Sequence, residues 1–254
     1  MSIGNTAYWN IYYCYNMKIA IMQPTFLPWL GYFALMDYVD LFIYLDDVQV
    51  SPKSYCTRNR VPEGKDLYTW LTIKESKDLP LSQRILKDTT IINAEHSYRE
   101  ISKTLCRKYN HESLEKFNLF LQKTLIESQS IAQINISLIE FICAEIGISP
   151  QVLRASSLNS HGKKSEKVLS ILNNFDWSTY IVVPGAVDYM KLDEIWFGYQ
   201  ERLKVFNYKP VSYNQKDVEE FVPYMSAVDA LLELGGKECL FKLREGVLEL
   251  RDWA

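Results

Sequence analysis

Histidine is scarce in this chain, with three in 254 residues: His96, His111 and His161. Cysteine is little better supplied. The five cysteines (Cys14, Cys56, Cys106, Cys143, Cys239) are odd in number and widely spaced, and none forms a C-x-x-C pair or lies near a histidine at metal-ligand spacing. That argues against a disulfide framework and a structural zinc, and fits a reduced, cytoplasmic setting. No apolar run reaches the length of a membrane span. The first sixteen residues, MSIGNTAYWNIYYCYN, lack the basic start and continuous apolar core of a signal peptide. They read as an extension rich in Tyr and Trp, suited to packing on the surface or on a second subunit, with the domain beginning near Met17. Neither sign of charge dominates: the net charge is −3, so no global attraction to nucleic acid or anionic membrane is expected. The G-x-x-x-x-G-K-[ST] phosphate loop, a His-x-x-His phosphate motif and internal repeats are all missing.

What is present is an ordinary globular composition, 48% hydrophobic and 23% charged, in a chain long enough to bury a large core. The most informative stretch runs from Met17 to Arg60. An apolar strand over 18–22 enters Gln23-Pro24. Pro24 and Pro28 cannot donate backbone hydrogen bonds and end it. A short helix follows Gly31, and a second apolar strand over 41–45 ends on Asp46-Asp47. Two buried strands joined by a helix describe a βαβ unit, and such units bind ligands at the carboxyl ends of their strands. Gln23, Asp46, Asp47 and Gln49 are therefore candidates, with Arg58-Asn59-Arg60 on a loop behind them.

Further along, 51–66 is polar and carries Pro52, Pro62 and Gly64, so it reads as a loop of functional size. Residues 67–74 alternate as a strand, and 89–92 are a short extended piece. Between about His96 and Gly147 the period turns helical, and Gly147 is a plausible stop. Cys143 falls on the apolar side of a helix there and is expected in the core. A strand at 151–154 leads to Ser156-Ser157, and a helix opens after His161-Gly162-Lys163-Lys164-Ser165-Glu166. Buried strands are expected at 180–183, breaking at Pro184-Gly185, and last at 204–208. A helix near 225–234 should stop at Gly235-Gly236, with a helical tail over 237–254. This alternation predicts an α/β fold with a mainly parallel, Rossmann-like sheet, flanking helices and a helical insertion or cap around 96–147.

Each constellation has a functional and a plain reading. Neighbouring strand residues point to opposite faces, so one of Asp46 and Asp47 faces a given cleft, as general base or ion ligand. The plain reading is a polar turn. Arg58 and Arg60 match phosphate or carboxylate oxygens, and a nucleotide diphosphate would suit them; alternatively they sit in a solvated loop. Lys163 and Lys164 at a helix start attract anions, and His161 is the histidine best placed for proton transfer. Gly185 would allow close backbone approach to a ligand, and Tyr189, Tyr213 and Gln215 would orient a sugar or base from loops, or merely pack.

The segments MQPTFLPWLGYF, YLDDVQ, TRNR, INISLIEFICAEIGI, SSL, GKKSE, TYIVVPGAVDYM, SYNQ and FVPYMSAVDALLELGG together resemble the WbqC-like proteins, from Met17 to Gly236. The resemblance leaves 1–16 outside the family domain. It implies a role in bacterial surface polysaccharide and O-antigen pathways, on a nucleotide-linked or lipid-linked sugar. Gln23, Asp46, Asp47, Gln49, Arg58, Asn59, Arg60, Ser157, Gly162, Glu166, Gly185, Tyr189, Tyr213 and Gln215 stand at its motif positions. The chain departs from the family pattern around Thr57-Arg58 and at Val182-Val183.

The expectation is a cytoplasmic transferase that moves an acyl or aminoacyl group onto a nucleotide-activated amino sugar. Arg58 and Arg60 would hold the diphosphate with Lys163 or Lys164, and Asp46, Asp47 or His161 would be the base. No metal is assigned and no cofactor is named. The expected partners are the sugar nucleotide and a donor, with a homo-oligomer left open. A nucleotidyl or phosphoryl transferase and a non-catalytic scaffold of a polysaccharide assembly are the alternatives.

Overall fold

A computed structural model describes residues 17–51, 53–64 and 68–253. The extension 1–16, with Cys14, lies outside the described residues. Strand β1 (Lys18–Met22) and strand β2 (Leu41–Tyr44) run parallel and in register, joined by helix α1 (Leu30–Tyr38). Their alternation decides what covers each face. Ile19, Ile21, Leu41 and Ile43 point into one apolar cluster, while Ala20, Phe42 and Tyr44 point into another. A sheet buried on both faces needs near-continuous apolar strands, and the two runs supply them.

The remaining strands extend this pair. Strand β7 (Val152–Arg154) lies parallel to β2, strand β8 (Thr179–Val182) parallel to β1 on its other side, and strand β9 (Leu203–Val205) parallel to β8. A short strand β10 (Arg251–Asp252) closes the far edge antiparallel to β9, giving the order β10-β9-β8-β1-β2-β7. The chain thus works outward from β1 to β7, then returns to start again at β8. The reversal lies between β1 and β8, where the strand ends of open α/β sheets diverge into a crevice.

One face carries α1, helix α4 (Ile131–Ile146) and helix α7 (Ala227–Glu245), with helices α2 (Ala94–Lys108) and α3 (Ser113–Glu127) outside them. The helical segment therefore starts two residues before His96 and stops at Gly147, as its pattern predicts. Its Ile134, Leu138 and Ile142 share a cluster with Phe33 and Phe42, so it belongs to the main layer of the fold. The opposite face carries helix α5 (Ser165–Leu172) and helix α6 (Pro184–Lys191). Helical geometry breaks at Gly235 (φ 75, ψ 167), where the sequence predicts a stop, and a second helical segment then carries α7 on to Glu245. A Cβ on Gly236 would lie 2.0 Å from the carbonyl oxygen of Glu145, so a side chain there would push α7 off α4.

Three expectations are corrected. The loop predicted over 51–66 contains strand β3 (Arg58–Pro62), paired antiparallel with strand β4 (Tyr68–Thr72) in a separate hairpin. Strand β9 is not the last, because β10 follows it. The tail 237–254 is helical only to Glu245, then turns back as β10 with Trp253 buried against the second face. The extended piece near 89–92 is strand β6 (Ile91–Ile92), paired with strand β5 (Lys74–Glu75). The four described cysteines are free, and Cys143 is in the core. Among the described residues no helix is long and apolar enough to cross a membrane.

Candidate functional site

The carboxyl end of β1 runs into Gln23–Trp29, and this loop is fixed from every side. Asn59 donates from its amide to the carbonyls of Phe26 (3.2 Å) and Leu27 (2.7 Å). Asn135 on α4 donates to the carbonyls of Pro24 (2.8 Å) and Cys56 (2.9 Å). The Ala227 N–H donates to Pro28 and the Phe26 N–H to Tyr55. Leu27 sits in the left-handed region at φ 47, a conformation costly for a branched side chain that survives only where its surroundings impose it. Asn59 is thus a backbone clamp, where the sequence offers it as a ligand contact. Removing it leaves two carbonyls and the Arg60 N–H, which donates to its Oδ1 at 2.9 Å, without partners. At about 1–3 kcal/mol for each of the three buried groups so stranded, Asn59→Ala is expected to cost about 3 kcal/mol or more in urea unfolding.

Gln23 faces the same interior. Its amide oxygen accepts from the Cys56 thiol at 3.4 Å, and burial pushes that thiol up to about 11, so it stays a donor.

Beyond the end of β2 the two aspartates take different partners. Asp46 is 1% exposed, and both its oxygens are taken: Ser156 donates its N–H (2.9 Å) and its hydroxyl (2.6 Å). It holds the turn after β7 against the end of β2. Asp47 pairs with Lys167 on α5 at 2.6 Å, and the same ammonium donates to Ser160 Oγ at 2.8 Å. The second Asp47 oxygen is buried without a partner. Gln49 is exposed on an extended stretch bridged to Ile85.

Ser160 leads directly into His161, on a cleft of about 340 Å³. The cleft is lined by Asn159, His161, Glu166, Ser170, Asn173 and Asn174, with Leu169 and Ile195 as its apolar patches. Helical periodicity builds it, because 166, 169, 170 and 173 share one face of α5 and its last turn. Ser170 fixes the histidine twice: its Oγ accepts from the His161 N–H at 3.0 Å and lies 3.1 Å from Nδ1. With Nδ1–H donating to that oxygen, the Nε2 lone pair is left to take a proton. Lys163 and Lys164 stand exposed between the two cleft residues His161 and Glu166, without side-chain partners among the described residues.

The other candidates sit elsewhere. Gly185 and Tyr189 are in α6, not in a loop; nothing lies within 4 Å of a Cβ built on Gly185, and Tyr189 is exposed on the helix. Tyr213 and Gln215 turn inward, donating to the buried carboxylate of Asp229 at 2.5 and 2.9 Å. Arg58 and Arg60 belong to the hairpin, whose Val61 and Leu71 pack with α1 and α4, while α5 packs on the opposite face. The structure brings His161, Glu166, Lys163, Lys164 and Asp47 onto one element and its neighbours. It does not bring the arginines to them.

With this arrangement in view, comparison with known proteins is informative. The family model described as "WbqC-like protein family" matches residues 23–239. The chain belongs to that family. The match spans the clamped loop, the aspartates, the cleft and the hairpin together. A relative in Mycobacterium tuberculosis, "Uncharacterized protein Rv1507c", is 24% identical over 225 residues, covering 87% of this chain and 95% of that protein. No solved structure matches. Within this WbqC-like domain, sequence reasoning missed Lys167, Ser170, Asn173 and Asn174. Lys167 carried a usable signal: it interrupts the apolar face of α5 at a position that is 8% exposed.

Proposed function

We propose that this WbqC-like protein is a cytoplasmic transferase that places an acyl or aminoacyl group on a nucleotide-activated amino sugar, in the building of bacterial surface polysaccharide. The observation that carries the reading is the polar cleft around His161. Amides, a carboxylate and an imidazole around two small apolar patches suit a hydroxylated, amine-bearing ring. An amine attacking an acyl donor must shed a proton, and His161 Nε2 is the group left to accept it. Asp46 is engaged at both oxygens and Asp47 is paired, so the histidine takes precedence over either as base. Lys163 and Lys164, at the start of α5, are placed to meet the phosphates of the sugar nucleotide.

Thermal unfolding with nucleotide-linked amino sugars tests this directly. A ligand bound only to the folded state at 100 times its dissociation constant adds about 2.7 kcal/mol, a readable rise in midpoint. Asn173→Trp, which fills the cleft from an exposed position, is expected to abolish the rise. No rise with any such sugar, or an undiminished rise in Asn173→Trp, would sink the assignment to this cleft.

A further inference from the structure

The arginine hairpin is left unused by the cleft, and it is built more carefully than a solvated loop. Arg58 and Arg60 alternate with the inward Asn59, so both project from the outer face of β3, about 7 Å apart along the strand. On β4, Trp70 stands opposite Arg60 and Thr72 opposite Arg58, with Tyr68 one pair further along, opposite Pro62. The Arg58 guanidinium lies 4.1 Å from the Trp70 ring centre, and that of Arg60 lies 4.7 Å from Tyr68 and 5.8 Å from Trp70. Stacking fixes the plane of each guanidinium while leaving its edge donors open.

Those donors are largely unspent. Arg58 Nε donates to the Lys53 carbonyl at 3.1 Å, and its two terminal nitrogens have no acceptor among the described residues. Arg60 Nε is buried and has no partner. Neither arginine forms an ion pair among the described residues; nearby Glu63 is paired to Arg107 instead. Two stacked guanidiniums with no carboxylate partner among the described residues suit two linked phosphoryl groups. Beside them Tyr55 is 48% exposed, with its ring centre 6.3 Å from that of Trp70, which is itself 37% exposed. These two rings, inclined at 42° to each other, offer exposed aromatic faces next to the forks on which a base can stack.

We infer that the outer face of the β3–β4 hairpin binds a nucleoside diphosphate, the diphosphate on Arg58 and Arg60 and the base against Tyr55 and Trp70. The site is distinct from the cleft, and it stands whether or not the cleft carries out transfer.

Titration calorimetry with inorganic pyrophosphate and with a nucleoside diphosphate tests it. Both probes are expected to bind, the nucleoside diphosphate more tightly. The double variant Arg58→Gln/Arg60→Gln should weaken both by at least about tenfold, at an unchanged unfolding midpoint. Absence of binding by either probe, or equal affinity in the arginine variant, overturns the site. Equal affinity for the two probes overturns its nucleoside part. The cleft reading is judged separately, by Asn173→Trp with the sugar.

Discussion

Asp229→Ala is expected to destabilise the protein by on the order of 4 kcal/mol. Asp229 is 0% exposed on α7, and three side chains donate to it: Tyr109 at 2.6 Å, Tyr213 at 2.5 Å and Gln215 at 2.9 Å. Alanine strands all three, at about 1–3 kcal/mol each. Against a typical total of about 5–15 kcal/mol, that is a large fraction. Asp229→Asn keeps an acceptor and should cost less. The two variants also differ in how stability responds to pH. Burial pushes the Asp229 carboxyl above its ordinary value, outweighing the hydrogen bonds that pull it down. A raised carboxyl means the folded state holds the proton more tightly than the unfolded one. Its contribution is therefore fully present below the ordinary carboxylate value and lost as pH rises through the raised one. Urea midpoints of the parent, less those of Asp229→Asn, should fall with rising pH across that window; a flat difference would contradict the assignment.

His161→Ala is expected to lower turnover by about 10²–10⁴-fold, the usual contribution of a positioned acid or base. The unfolding midpoint should barely move, because the ring is exposed and its one side-chain bond is to Ser170. Ser170→Ala separates positioning from chemistry. It removes the oxygen that holds both the backbone and the ring of His161. Its rate should fall less than that of His161→Ala. Unchanged turnover in His161→Ala would remove the histidine from the mechanism.

The central strands were legible because both sheet faces are buried, which makes their sequences continuously apolar. The three helices between Ala94 and Ile146 were legible from their period. The β3 strand was not, because its inward residue is the polar Asn59 and its outward residues are arginines, so hydrophobic alternation is hidden where it matters. The partners of Asp46 and Asp47 were not legible. Ser156 and Lys167 come from segments about 110 and 120 residues away, and no local pattern announces such pairs. Asp229 did leave a trace. It falls inside Ala227–Leu232, where every residue is buried, and a lone carboxylate there requires donors. Tyr213 and Gln215, read as ligand contacts, are two of those donors.

The left-handed Leu27 has a consequence in time. The pairing of β1 with β2 across α1 is local, within residues 18–44. The loop between them cannot settle by local contacts. Its shape depends on Asn59, on Asn135 and on Ala227, the last of which arrives about two hundred residues later in synthesis. Closing contacts that far apart in sequence is slow relative to local pairing. The strand ends that form the crevice should therefore mature last, after the sheet is already in place.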